Sequence, residues 1–551
     1  MKKLQLILAL CFCGLCGLQA YDFQVDNLFY DFMEDKPGEV KVTYKDHDVM
    51  NTGKYNTKHR IASAEIPKTV TYKGQEYAVT TIGYCAFADC AELTSVTLPN
   101  SIKMVEDYAF LNSGLTEPLF NARIFAFLPP SYAGAYTVPD GIVYVAGGAF
   151  AGCGQLTAVK LPKTITDIGY GAFEGCWKIL KPVSTSKVFA FLPRTYAGSY
   201  SVPGGVVTIA PCAFAECPGL ISVRLPNSVR NIGNYAFAES QKLASVNLPE
   251  GLKTIGENAF YNCQELTGIV LPNSLTSVGN SAFYHCDKID KPIFSQRIFA
   301  YMPIAYKGYY MMPDGIEIIA GGAFRDCFSV ATIRVPSSVR EIGKQAFSKC
   351  AGLTTLTIPQ GVPAIEEGTF EWCSGLQAVT IPESVTRIGV NAFRFCTSLT
   401  SLAVPNSVIS IGSQAFMYCS ALQSATLSNG ITRIEDGLFD GCKNLRTMVV
   451  PEGVTTVGIA AFQGCENLTA ITFPATLQEI KYLSLHQCTK LTSVTNYAAT
   501  PQPLRRDVFI WARNGEVLDL SGCTLYVPAE AVDTYREKSI WNGFHEILPI
   551  Q

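Results

Sequence analysis

Residues 388–410 read IGVNAFRFCTSLTSLAVPNSVIS, and Ile411-Gly412 begins the same pattern again. The apolar positions Ile388, Phe393, Leu399, Leu402, Val404 and Val408 fit neither a helical period nor plain strand alternation. They suit a coil that turns inward several times per repeat and buries its edge on the next coil. The stretch from Leu399 to Val404 has two-residue alternation at its end and reads as a short strand. Pro405 follows, where a missing N–H marks the strand end. Gly389, ahead of Ala392-Phe393, reads as the residue of a tight turn. Stacking such strands at about 4.8 Å builds a continuous parallel sheet.

The phenylalanine sets the register. It recurs at fifteen places from Phe87 to Phe462 in steps of 23 residues, except three steps of 40 or 41, and Leu485 stands one further step on. The consensus is Ile-Gly-x-x-Ala-Phe-x-x-Cys-x-x-Leu-x-x-Val-x-Leu-Pro-x-Ser-Val-x-x. It closely resembles the BspA-like, or treponemal-type, leucine-rich repeat. That resemblance implies a right-handed leucine-rich-repeat superhelix, export to the surface or surroundings of bacteria, and adhesion-type roles. The expected fold is therefore a β-rich repeat solenoid of about sixteen repeats over residues 80–495, with stacked parallel strands and little α-helix. Residues 21–79 lack the repeat and alternate like hairpin strands, an N-terminal β cap. Residues 496–551 read as a C-terminal cap with a strand at 524–528 and a short helix bearing Tyr535, Trp541 and Phe544.

The chain of 551 residues is 48% hydrophobic and 16% charged, with a net charge of −3, so no basic field points to nucleic acid. Lys2 and Lys3 precede an apolar run from Leu4 to Leu15, which reads as a signal peptide over residues 1–20, cleaved between Ala20 and Tyr21. The run is short for a membrane span, and no integral membrane segment is expected. Acylation of Cys11, Cys13 or Cys16 is the rival reading.

Fourteen of the 20 cysteines share one position, three residues after the phenylalanine site. Ligands 23 residues apart make a row rather than a tetrahedron. Side chains stacked at the coil spacing of ~4.8 Å also miss the ~3.8 Å that a disulfide requires between Cβ atoms. The cysteines are expected to be buried free thiols, with no metal and no cofactor. No nucleophile elbow, zinc array, phosphate loop or calcium loop is present, and Glu366, Glu367 and Glu371 fall at turn positions where charges are solvated. No catalytic residue is assigned.

The outward strand position is bland, with five threonines among twelve residues, no acidic or aromatic member, and Lys160, Arg224 and Arg334 as its charged members. The three long steps are more suggestive. Their added segments, near 118–138, 182–202 and 292–312, carry one shared sequence around a Pro- and Gly-containing turn and read as β-hairpin insertions. The candidate binding residues are Arg123, Phe125, Phe127, Tyr132 and Tyr136 in the first, Lys187, Phe189, Phe191, Tyr196 and Tyr200 in the second, and Arg297, Phe299, Tyr301, Tyr306 and Tyr310 in the third. The function expected is a non-catalytic, monomeric binding scaffold for a protein or glycan, extracellular or at the cell surface, with the periplasm as the alternative. A structural spacer or surface-layer component is the second reading and a carbohydrate-active enzyme the third.

Overall fold

A computed structural model describes residues 21–45, 47–48, 54–55, 60–504, 506–509 and 520–551; the expected signal segment and its cysteines lie outside them. The chain divides into two compact units, residues 1–196 with 203–214, and residues 197–202 with 215–551.

The first unit opens with a sheet in which Leu28–Phe32 pairs antiparallel with Phe23–Val25 and with Glu39–Thr43. Glu39–Thr43 then pairs parallel with Gln75–Ile82, whose end pairs parallel with Met104–Val105, the first coil strand of this column. The leading edge of the coil stack is thus covered rather than left open. Phe23, stacked 4.4 Å from Tyr72 and 5.2 Å from Tyr30, supplies the cap with its own small core.

Most coils carry two parallel strand columns, where the sequence pattern indicates one. In the second unit Ser401–Ala403 pairs with Ser424–Thr426, the strand read from Leu-x-x-Val. The dipeptide ending in the Ile of Ile-Gly forms the other column, as in Arg387–Ile388 with Ser410–Ile411. A third ladder runs through the Ala-Phe turn, where the Phe393 amide donates to the Ala415 carbonyl at 2.8 Å. Between the ladders the phenylalanine rings stack face to face: Phe393 lies 5.1 Å from Phe370 and 5.5 Å from Phe416, and it is fully buried.

Two sequence readings acquire a physical cause here. Gly389 is not the residue that turns the chain; the left-handed positions are Asn391 (φ 57°) and Phe395 (φ 60°). A Cβ on Gly389 would sit 2.6 Å from the Glu367 amide nitrogen, so glycine is required because successive coils approach backbone to backbone. The cysteine position has a polar reason as well as a steric one. The Cys396 thiol donates to the Phe370 carbonyl at 3.2 Å, Cys373 to Phe347 at 3.0 Å and Cys419 to Phe393 at 3.3 Å, one bond per coil. Each of these carbonyls also accepts a backbone amide of its own turn, as Phe370 does from Cys373 at 3.1 Å, so the thiol serves its second lone pair. The described cysteines are free thiols, all buried except the half-buried Cys212. Native protein should therefore resist a thiol reagent at neutral pH, and most of its seventeen described cysteines should react once denaturant is added without reductant. Thiols that stay silent in denaturant until reduced would mean disulfides.

The insertions differ from their expected shape. Each contains an antiparallel hairpin, but it lies earlier in the chain: Leu119–Phe120 with Ile124–Phe127, Val183–Ser184 with Val188–Phe191, and Ile293–Phe294 with Ile298–Tyr301. The two runs around the Pro- and Gly-containing turn do not pair with each other. In the first, Ile124–Phe127 pairs parallel with Tyr144–Val145 and Gly134–Thr137 with Leu156–Lys160, so the segment forms an additional coil within the stack. The third does the same, onto Ile318–Ile319 and Val330–Arg334. A coil of its own buries the insertion's apolar face and pairs its backbone, which a projecting hairpin would not.

At the other end Thr524–Val527 pairs parallel with Ser493–Asn496, and Glu546–Pro549 adds one more strand. The only α-helix among the described residues is Val532–Glu537. It anchors through the Tyr535 hydroxyl, which donates to the Ala498 carbonyl at 2.9 Å, beside the Trp541 indole donating to Gln502 at 2.9 Å.

Candidate functional site

The additional coils decide which of the insertion residues can meet a ligand. Phe125, Phe127, Phe189, Phe191, Phe299 and Tyr301 are buried, none more than 7% exposed. Phe125 stacks on Phe150 at 5.0 Å, Phe189 on Phe214 at 4.6 Å and Phe299 on Phe324 at 4.8 Å. These six are core residues, a correction to their reading as binding residues, because the coil turns their side of the strand inward. Tyr132, Tyr136, Tyr196, Tyr200, Tyr306 and Tyr310 are half-buried. The Tyr132 hydroxyl donates to the Ala135 carbonyl at 3.2 Å, and the Tyr306 hydroxyl to the Tyr309 carbonyl at 3.1 Å. Tyr136 and Tyr310 lean on Phe125 and Phe299 at 5.4 and 5.7 Å, and burial pushes the Tyr310 phenol up to about 12. Arg123, Lys187 and Arg297 are exposed, Arg297 in an ion pair with Glu317 at 2.6 Å.

A second surface, not singled out from the sequence, lies on the outer edge of the Ala-Phe turn in the second unit. The residue two places after each core phenylalanine is left-handed, and most such positions hold Asn, Asp, Gly, Gln, Glu, Lys or His. In three successive coils they hold Trp372 (φ 63°), Phe395 (φ 60°) and Tyr418 (φ 59°). Their rings form a column on the protein surface: Trp372 and Phe395 stack at 3.8 Å, Phe395 and Tyr418 at 4.8 Å. Trp372 is 45% exposed and the other two are half-buried. The Arg394 guanidinium lies 4.9 Å over the Phe395 ring and pairs with Glu371 at 3.4 Å. Burial raises the Glu371 carboxyl against the opposing pull of Arg394. Beneath Tyr418, whose amide donates to the Asp440 carbonyl at 2.7 Å, burial pushes the Asp440 carboxyl up to about 6. Bulky left-handed residues are the sequence signal that could have exposed this column, but only once the turn's conformation is known.

The carboxylates weighed as a chemical group are separately engaged: Glu366 with Arg387 at 2.7 Å, Glu367 with Lys344 at 3.1 Å and Glu371 with Arg394. Among the described residues no three His, Cys, Asp or Glu side chains are placed to hold a metal ion, and no helix is long and apolar enough to cross a membrane.

Several solved leucine-rich repeat proteins are similar to this chain. A leucine-rich repeat protein from Bacteroides ovatus is similar at 22% identity over 86% of this chain and 94% of that one, with a TM-score of 0.33. A leucine rich cell surface protein from Faecalibacterium prausnitzii has the same identity and coverage, with a TM-score of 0.24. The T. pallidum leucine rich repeat protein is 27% identical over 43% of this chain and 82% of its own, with a TM-score of 0.23. No curated protein matches. The family profile described as the BspA type leucine rich repeat region matches in six copies, over residues 55–180, 132–201, 189–307, 299–423 and 386–510. With the repeat profile spanning most of its length and the coils folded as that repeat requires, the chain belongs to the BspA-type leucine-rich repeat family.

Proposed function

We propose that this protein is an exported, non-catalytic binding scaffold that acts at the cell surface or outside the cell, and that the column of Trp372, Phe395 and Tyr418 is a docking edge for a protein. The observation that carries this reading is the conformation of the three residues. A bulky side chain in the left-handed region costs of order 1–3 kcal/mol, and such strain gathers at functional positions. These rings lie outside the buried phenylalanine column, Trp372 exposed and the other two half-buried. The inner ring faces meet each other at 3.8 and 4.8 Å, so much of what the column presents is ring edge, which suits side chains and carbonyls of a protein partner. Trp and Arg, here Trp372 beside Arg394, are the residues enriched where interfaces concentrate their energy. Export is supported by the basic and apolar start of the chain, Lys2-Lys3 followed by Leu4 to Leu15.

The test uses the mature chain against immobilised fibronectin, laminin and collagen, with a Trp372→Gly, Phe395→Gly, Tyr418→Gly variant beside it. Glycine accepts the left-handed backbone, so the variant should melt no earlier than the parent. Its binding should drop by about tenfold or more, the loss of a hot spot. Equal binding by parent and variant, or binding by neither, refutes the docking edge.

A further inference from the structure

In the second unit the third insertion shapes an open depression of about 670 Å³, lined by Leu271, Asn273, Phe294, Gln296, Arg297 and Asp314. Small-molecule sites span about 300–1,000 Å³. Phe294 is 43% exposed, and its ring lies nearly parallel, at 6°, to the fully buried Phe299 ring 6.2 Å away. Nearly half of the Phe294 side chain is therefore open to solvent beside a buried neighbour. Around the ring stand charges that already balance: Arg297 with Glu317 at 2.6 Å and Asp314 with Arg334 at 3.4 Å. The floor is fixed by the Asn273 side-chain carbonyl, which accepts the Gln296 amide at 3.2 Å.

The first unit carries part of the same set, with Val143 where the third insertion has Glu317. Phe120 is 44% exposed and lies 6.3 Å from the buried Phe125 at 16°. The Asn100 side chain accepts the Ala122 amide at 3.0 Å, and Arg123 and Asp140 are exposed at the positions of Arg297 and Asp314. The middle insertion has Lys163, Ser184 and Gly204 where the others have Asn, Phe and Asp, so the set is not a requirement of the inserted coil itself.

We infer that the Phe294 depression and its Phe120 counterpart bind sugar units of a neutral polysaccharide. This rests on the reading of the chain as a binding scaffold and adds a ligand class at a different surface. A pyranose has one face of C–H groups that lies against an open aromatic face, whose electron density is negative. Its hydroxyls both donate and accept, matching the arginine fork on one side and the aspartate and asparagine oxygens on the other. Because each charge in the third insertion has its counter-charge, an acidic sugar would have to compete with Glu317 and Asp314, whereas a neutral one leaves both pairs in place. One shallow site binds weakly, and a polymer presents many sugar units to each site.

The experiment is affinity electrophoresis of the mature chain in gels containing laminarin, yeast mannan or arabinoxylan, with polygalacturonate and heparin as acidic counterparts. At least one neutral polymer should retard the parent, and the acidic ones should not. The Phe120→Ala, Phe294→Ala double variant removes two exposed rings, so its melting should match the parent while its retardation constant weakens about tenfold or more. Retardation by acidic polymers alone, by none, or equally in the double variant overturns the assignment. Such a failure leaves the Trp372 docking edge to be decided by its own binding assay, which the two phenylalanines do not enter.

Discussion

Replacing Phe393 with Ala should lower the stability of the second unit by about 3–5 kcal/mol, the cost of an unfilled cavity in a packed core. The ring is fully buried and is sandwiched between Phe370 and Phe416, so neither neighbour can close the gap without leaving its own coil. Because each coil packs only on its neighbours, the defect interrupts the column at one interface and weakens coupling across it. Phe395→Ala, two residues away, is the internal control. That ring is half-buried, sits in the left-handed region and leans on Trp372 and Tyr418 at the surface. Its removal should move the urea midpoint much less than Phe393→Ala does. Equal losses at the two positions would mean that the surface column belongs to the core.

Raising the pH above 9 should destabilise the protein steeply, through the thiols. Burial pushes Cys419 and Cys488 in the second unit, and Cys90 and Cys153 in the first, up to about 12. In the unfolded chain a thiol titrates near ~8.5. Below that value both states hold the proton and the thiols contribute no pH dependence. Between about 8.5 and 12 the unfolded chain loses its thiol protons while the folded coil retains them, so unfolding is favoured more at each step. The stability is complete below the unfolded pKa and is lost as pH rises toward the folded one. Each such thiol removes about 1.4 kcal/mol per pH unit, hence Cys419 and Cys488 together about 3 kcal/mol per unit. Urea midpoints should be level from pH 7 to 8 and fall from pH 8.5 to 9.8, before lysine and tyrosine titrate freely. Cys419→Ala should shallow that fall. A midpoint unchanged at pH 9.8 would mean that these thiols are not held protonated by the fold.

The sequence alone determined the repeat, its 23-residue register, the parallel stacking and the free thiols, because one period repeated so often admits few structures. Phe393, Leu399 and Cys396 could be placed inside for that reason, with no knowledge of the coil path. Three things were decided only by tertiary structure. Gly389 is glycine because another coil's backbone lies 2.6 Å from where its Cβ would be, a distance that no local pattern encodes. The insertions read as hairpins because alternation specifies a strand but not its partner; Gly134–Thr137 found Leu156–Lys160 in the next coil rather than its own neighbour. That choice turned Phe125 and Phe299 into the core and left Phe120 and Phe294, outside the shared motif, facing solvent. The left-handed turn two residues past each core phenylalanine is likewise invisible in composition, so Trp372, Phe395 and Tyr418 read as ordinary aromatics until the backbone shows what conformation they hold.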